Sequence, residues 1–201
     1  AKLEAEQGAE SGLLVVADQQ TAGRGRRGRG WESPSGSNIY YTLMLKPDFN
    51  ADCAPMLTLV MALAVAKGIR QTLGRGSEEG AAKVGIKWPN DIVVDGKKVC
   101  GILTEMSMEQ AYIHHIVIGV GINVRRQEFP EEIRDRAAAI EEQCGFRISR
   151  SQLIADIMEA FEEDYEIFLQ THDLKGLRDS YAKLLVNRDR EVCVLDPKGE
   201  F

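Results

Sequence analysis

The chain has 201 residues, which suits one medium domain or one domain with a small appendage. Hydrophobic residues make up 44% and charged residues 28%, the balance of a soluble globular protein able to bury a sizeable core without staples. The formal net charge of -6 excludes a bulk attraction for nucleic acid, so any anion binding must come from a local cluster.

The four cysteines, Cys53, Cys100, Cys144 and Cys193, are scattered without a C-x-x-C pair and read as free thiols of a reducing cytoplasm. No stretch approaches the roughly 20 apolar residues of a membrane span, and the N-terminus is neither a signal nor a transit peptide. Lacking a start methionine, it reads as the end of a helix cut from something longer.

Residues 2–8 read as a short helix closed by Gly8 or Gly12. Leu-Leu-Val-Val-Ala-Asp-Gln-Gln (13–20) is a strand, and 21–36, rich in Gly, Arg, Pro and Ser, a loop. Residues 38–46 alternate as a half-buried strand ended by Pro47. Over 54–73 Leu57, Val60, Leu63, Ala64, Val65, Ile69 and Leu73 recur at helical spacing, with Asp52 as N-cap. Residues 74–81 are a polar turn.

The segment 85–106 reads as strand, turn, strand, hairpin, strand, with Asp95-Gly96 as the hairpin signal. Trp88 and Pro89 form a structural turn packed on the core. A further strand covers 112–124, where adjacent His114 and His115 point to opposite faces and cannot hold one ion from one side. Pro130 opens a short acidic helix to about Glu142 with a solvated face. Ser149 or Ser151 caps a long helix whose Leu153, Ile157, Phe161 and Phe168 form a core stripe, with Met158 beside them. A third helix spans 174–185, and 191–196 is a last strand that cannot bury itself alone. Strands first and helices later indicate an α+β fold with a mixed sheet and helices mainly on one face.

The feature that stands out is Gly23-Arg24-Gly25-Arg26-Arg27-Gly28-Arg29-Gly30, four arginines spaced by glycines. Arginine offers forked donors to carboxylate and phosphate oxygens. Glycine lets backbone N–H groups come close to an anion. Gly23-x-Gly25-x-x-Gly28 matches a dinucleotide fingerprint, yet Trp31-Glu-Ser-Pro-Ser-Gly follows where a helix should start. An RNA-binding arginine-glycine patch is a second reading, although such segments repeat in tails. A loop folding over a phosphate-bearing small molecule is the third. Four like charges so close repel, so the loop should be mobile when empty and ordered by a bound anion.

Gln20-Thr-Ala-Gly-Arg-Gly-Arg-Arg-Gly-Arg with Trp31, Lys87-Trp-Pro-Asn-Asp-Ile, Lys97-Lys-Val-Cys-Gly-Ile-Leu-Thr-Glu and Gly119-Val-Gly-Ile-Asn123 together resemble bacterial biotin protein ligases, in order and near spacing. The resemblance implies two steps. Biotin and ATP give biotinyl-5′-AMP and pyrophosphate, and a lysine of a biotin carboxyl carrier protein, that of acetyl-CoA carboxylase or a related enzyme, then takes the biotin. Two anions must be brought together, Mg²⁺ and cationic side chains must neutralise the phosphates, and water must be shut out.

By resemblance, Gln20, Arg24, Gly25, Arg26, Lys98, Gly101, Leu103 and Gly119 bind biotin. Arg29, Trp31, Asn90, Asp91 and Asn123 serve ATP, with Trp31 packing near the adenine and Asp91 also serving the metal. Lys98 and Arg26 would carry the chemistry. Bland readings stand beside these: solvated strand ends for Lys87 and Lys97, a turn cap for Asp91, a strand terminator for Asn123. The resemblance further implies a biotin/lipoate ligase-like catalytic domain over 1–186 and, over 187–201, the beginning of an incomplete SH3-like β-barrel.

The family's Asp-Ser-Thr-Asn-like segment precedes this chain's start, and no helix-turn-helix region supports DNA binding. The protein is expected in the cytoplasm, with neither nucleic acid nor membrane as partner. An exposed strand could pair with the carrier domain or with a second copy in a homodimer. A lipoate or octanoyl ligase is the rival enzyme, but its Arg-Arg-x-Ser-Gly-Gly-Gly loop is absent. A paralogue that binds biotin without transferring it is another reading.

Overall fold

The computed structural model describes residues 1–110 and 112–192. Six strands, β1 (Leu13–Ala17), β2 (Ile39–Leu45), β3 (Val84–Lys87), β4 (Asp91–Val94), β5 (Lys97–Glu109) and β6 (Tyr112–Ile122), form one sheet in the order β1-β2-β6-β5-β4-β3. Every neighbouring pair is antiparallel. The fold is thus α+β as expected, but the sheet is antiparallel rather than mixed.

Alternation divides the sheet into two faces. Ile39, Tyr41, Leu43 and Leu45 of β2, with Ile116, Ile118, Val120 and Ile122 of β6, enter the main core. Covering that face are α2 (Leu57–Gly74) and α5 (Arg150–Thr171), with α3 (Glu78–Ala82), α4 (Ile140–Cys144) and α6 (Arg178–Leu184) around them. On the opposite face α1 (Lys2–Glu6) packs Ala5 against Met44 and Val117. The rest of that face carries the cleft described below.

Helix α2 is wedged between the sheet and α5. Gly68 makes the close approach possible: a Cβ there would stand 2.5 Å from Ile157 Cγ1. Covered on most sides, α2 can be apolar over most of its surface. The run Ala51–Gly74 reaches a mean hydropathy of 1.5, enough by length and composition to cross a membrane, contrary to the sequence expectation. Its buried residues belong to the core. Polar bonds pin α2 to α5: Arg75 and Thr72 reach Asp156, and Lys67 reaches Asp164. Burial pushes the Asp164 carboxyl up, against the opposing pull of Lys67.

Several local expectations change. Asn50, not Asp52, caps the 3-10 turn that leads into α2, its side chain accepting from Asp52 N–H. The supposed turn 74–81 contains most of α3, capped by Ser77. No acidic helix runs from Pro130 to Glu142. After one turn on the Pro130 carbonyl, the chain extends beside β5, where Arg136 O accepts from Lys98 N–H and Lys98 O accepts from Ala138 N–H. That pairing demands extended backbone at 137–139 and overrides helix propensity. Trp88 faces outward, 62% exposed, rather than packing on the core.

The expected turn at Asp95-Gly96 forms, both residues having positive φ as a two-residue hairpin of this type requires. Ser149 rather than Ser151 caps α5. After α6 the chain pairs briefly with β3, Val186 N–H donating to Ile86 O. Glu191 and Val192 lie in no strand, and the remainder of the strand expected at 191–196, with Cys193, lies outside the described residues. Cys53, Cys100 and Cys144 are free thiols.

Candidate functional site

The face of the sheet away from α2 floors a cleft of about 1410 Å³. This exceeds the roughly 300–1,000 Å³ of a pocket for one small ligand. Gly101, Leu103 and Glu105 of β5 and Val117, Gly119 and Gly121 of β6 make the floor, Thr42 of β2 its side. Gly101 pairs with Gly121 and Leu103 with Gly119. The two glycine pairings leave a shallow bed where side chains would otherwise stand.

A β-bulge brings Lys98 to this floor. Lys98 and Gly101, three residues apart, would face opposite sides of a regular strand. Between Ile92 and Val93 the register slips, so Val99 and Cys100 both turn into the core. Lys98 thereby emerges on the cleft side, its Nζ 3.3 Å from where a Gly101 Cβ would be. The ammonium stands 2.6 Å from Asp91 Oδ1 as a close ion pair without hydrogen-bond alignment. Burial holds the neighbouring Cys100 thiol far above its ordinary range, so it stays protonated and inert.

Trp31 lies flat on the glycine bed. A Cβ on Gly121 would come within 2.5 Å of its Nε1, and one on Gly101 within 3.0 Å of its Cζ3. Lys98 Nζ sits 5.4 Å from the ring centroid, within cation-π range. The indole N–H is buried without a partner. Trp31 therefore contacts the floor beside Lys98 and Gly101, residues that the resemblance gave to biotin.

Above the floor the arginine-glycine loop is a small hairpin. Trp31 N–H donates to Gly23 O and Gly25 N–H to Arg29 O, with Arg24 and Gly30 bridged between. At its base a Cβ on Gly23 would fall 2.2 Å from Trp31 O, so only glycine fits. Arg27 turns the tip in the left-handed region. Gln20 anchors the base, its side-chain oxygen accepting from Ser33 Oγ at 2.7 Å. Arg24 reaches Glu105 at 3.1 Å. Arg26, Arg27 and Arg29 are exposed and, among the described residues, unpaired.

Asn90 and Asn123 line the cleft with their amides committed elsewhere. Asn90 Nδ2 donates to Ile102 O at 2.9 Å, and Asn123 Nδ2 to Ala138 O at 3.3 Å. All the site residues read from the sequence border this one cleft, with Gly25 in the loop and Gly119 on the floor. Sequence reasoning missed Gly121, Glu105 and Lys2. The first two carry a signal: each lies two residues beyond a named floor residue on the same strand face. Lys2 carries none.

His114 and His115 correct another expectation. A second bulge, between Ser107 and Met108, places them opposite a shortened stretch of β5. Their Nδ1 atoms approach to 2.8 Å instead of pointing apart. Among the described residues no group of three metal-ligating side chains forms there or elsewhere.

Residues 2–123 match the biotin/lipoate A/B protein ligase family. A bifunctional ligase/repressor BirA of Bacillus subtilis is 42% identical over 179 residues, covering 87% of this chain and 53% of that protein. A biotin–[acetyl-CoA-carboxylase] ligase of Paracoccus denitrificans is 40% identical over 117 residues, covering 58% and 46%. The chain thus spans about half the length of these curated relatives.

Among solved structures, the Aquifex aeolicus biotin protein ligase in complex with biotin and ATP superposes with a TM-score of 0.75 at 29% identity, covering 92% of this chain and 73% of that one. The Leishmania major biotin protein ligase in complex with biotinyl-5-AMP gives 0.70 at 27%, covering 98% and 81%. On its sequence match and its fold, the chain belongs to the biotin/lipoate A/B protein ligase family.

Proposed function

We propose that the protein is an ATP-dependent biotin protein ligase that forms biotinyl-5′-AMP and passes the biotin to a lysine of a biotin carboxyl carrier protein. The observation that carries this reading is Lys98, turned by a bulge onto a glycine-floored cleft, paired with Asp91 and overhung by a loop of four arginines. The names of the relatives supply the substrate.

In the first step a biotin carboxylate oxygen attacks the α-phosphorus of ATP, and the bond to pyrophosphate breaks. Lys98 lies between the two reacting anions and offsets their repulsion, a fixed cation where negative charge accumulates. Arg24, Gly25 and Arg26 close over the biotin end, and Gln20 holds the loop's base. Gly101, Leu103 and Gly119 leave room for the fused rings. Arg29, Asn90 and Asn123 serve the nucleotide.

Trp31 must swing off its bed or share it, and its unpartnered N–H is free to meet a ligand acceptor. Mg²⁺ takes one or two carboxylates beside phosphate oxygens and water, a supply that Asp91 meets, and it would neutralise the leaving pyrophosphate. In the second step the carrier lysine nitrogen attacks the acyl carbon, AMP leaves, and the amine gives up a proton. The closed loop keeps water from the anhydride until then.

Incubation with biotin, Mg²⁺ and labelled ATP tests this. Pyrophosphate release should depend on biotin, and Lys98→Ala should lower it by about 10²–10³-fold, as removal of a transition-state charge partner does. Biotin binding without release would mean a non-catalytic paralogue. Absence of both sinks the ligase reading.

A further inference from the structure

We infer that Glu105 is a positioning residue for the arginine loop: its carboxylate ties the loop's first arm and helix α1 to the cleft floor and so sets how far the loop stands open.

Glu105 continues the floor side of β5 beyond Gly101 and Leu103 and pairs in register with Val117. Its two oxygens are divided between two elements that otherwise have no bond to each other among the hydrogen bonds of the described residues. Oε1 takes Lys2 Nζ at 2.9 Å, and Oε2 takes Arg24 at 3.1 Å. Lys2 is itself fixed, because α1 is packed through Ala5 onto Met44 and Val117. Glu105 thus joins a rigid floor, a packed helix and a loop whose other arginines, Arg26, Arg27 and Arg29, are unpaired.

The electrostatics give the tie a direction. Four arginines crowd the hairpin and repel one another, a push that splays its arms. One carboxylate under the first arm opposes that push, while the tip stays free to move. The hairpin is thus held at its Arg24 arm, while Arg26 and Arg29 beyond it have no such tie among the described residues. The pairs are partly exposed, so the bias is modest, about five-fold in the open-to-closed ratio.

The kinetic consequence rests on the ligase reading; the structural one does not. Arg24, Arg26, Arg27 and Arg29 are trypsin sites, so limited digestion of the ligand-free protein reads the loop directly. Glu105→Gln keeps the shape and removes the charge. It should raise the rate of nicking within 24–29 by about five-fold, with the unfolding midpoint unchanged. Glu105→Asp should restore part of the protection, and Glu109→Gln, further along the same strand, should have no effect.

Once pyrophosphate release is established, Glu105→Gln should raise the KM for biotin several-fold and leave kcat within two-fold. Equal nicking of the wild type and Glu105→Gln overturns the inference. So does faster nicking spread over the whole chain with a lowered midpoint, which would mark a structural role. If no biotin-dependent release occurs in the wild type, the ligase reading falls while the nicking result still decides the role of Glu105.

Discussion

Lys98 illustrates what a residue's identity does and does not disclose. That a lysine beside Gly101 should meet two anions follows from the chemistry of the family it resembles. That it can reach the floor at all follows from Val99 and Cys100 both turning inward at the bulge, which strict alternation does not anticipate. The glycines are a similar case. The run Gly119-Val-Gly announces close approach without naming the partner, and the structure supplies Trp31.

The two glycines are not equivalent. A methyl on Gly121 would press on the indole at 2.5 Å, whereas one on Gly119 meets only Leu103 O at 3.6 Å and Thr42 Oγ1 at 3.9 Å, ordinary contact distances. Gly121→Ala should expel Trp31 from its bed. With Trp88 replaced by Phe, the emission of Trp31 should then shift to the red. Gly119→Ala should leave that emission in place while raising the KM for biotin by narrowing the floor. An unshifted spectrum for Gly121→Ala would mean that the ring is not seated as described.

Strands and long helices were legible because their apolar periods are long and uninterrupted. The acidic segment after Pro130 was not, because its conformation is set by Lys98 across the fold rather than by its own residues. The composition of the arginine-glycine segment marks it as a loop, while the cross-strand hydrogen bonds that fold it into a hairpin leave no trace in that composition. The far end of the β5–β6 hairpin holds a third surprise in the bulged histidines.

Burial, and then His114, hold the His115 imidazole below its ordinary 6.5, with Lys2 and Lys46 adding to the effect and Glu6 opposing it. The unfolded chain then takes up this proton at higher pH than the folded one. His115 thus contributes stability that is complete above about 6.5 and is lost as the pH falls through its folded value. The unfolding midpoint should drop on acidification from pH about 7 to about 5, and His115→Gln should flatten that slope. An equally steep slope in the variant would place the acid sensitivity elsewhere.

At the scale of the molecule the sheet divides labour between its faces. One face carries the core with α2 and α5, and the other is left open apart from α1 and the hairpin loop. A fold that loads its apolar area on one side can leave glycines and charges on the other without losing cohesion. Stability and ligand affinity should then respond to different substitutions.

Gly68→Ala tests the helical face. Its new methyl would meet Ile157 Cγ1 at 2.5 Å and the Ile157 backbone nitrogen at 3.0 Å, so α2 and α5 must move apart. Overpacking of this kind costs about 1–3 kcal/mol. Lys98→Ala tests the open face, where loss of a partly exposed pair changes stability by about 1 kcal/mol or less. Urea unfolding should therefore rank Gly68→Ala well below Lys98→Ala, while biotin-dependent pyrophosphate release ranks them in the opposite order. Loss of release in Gly68→Ala under conditions where it remains folded would show that the helical face reaches the site through the sheet. The division between faces would then be wrong.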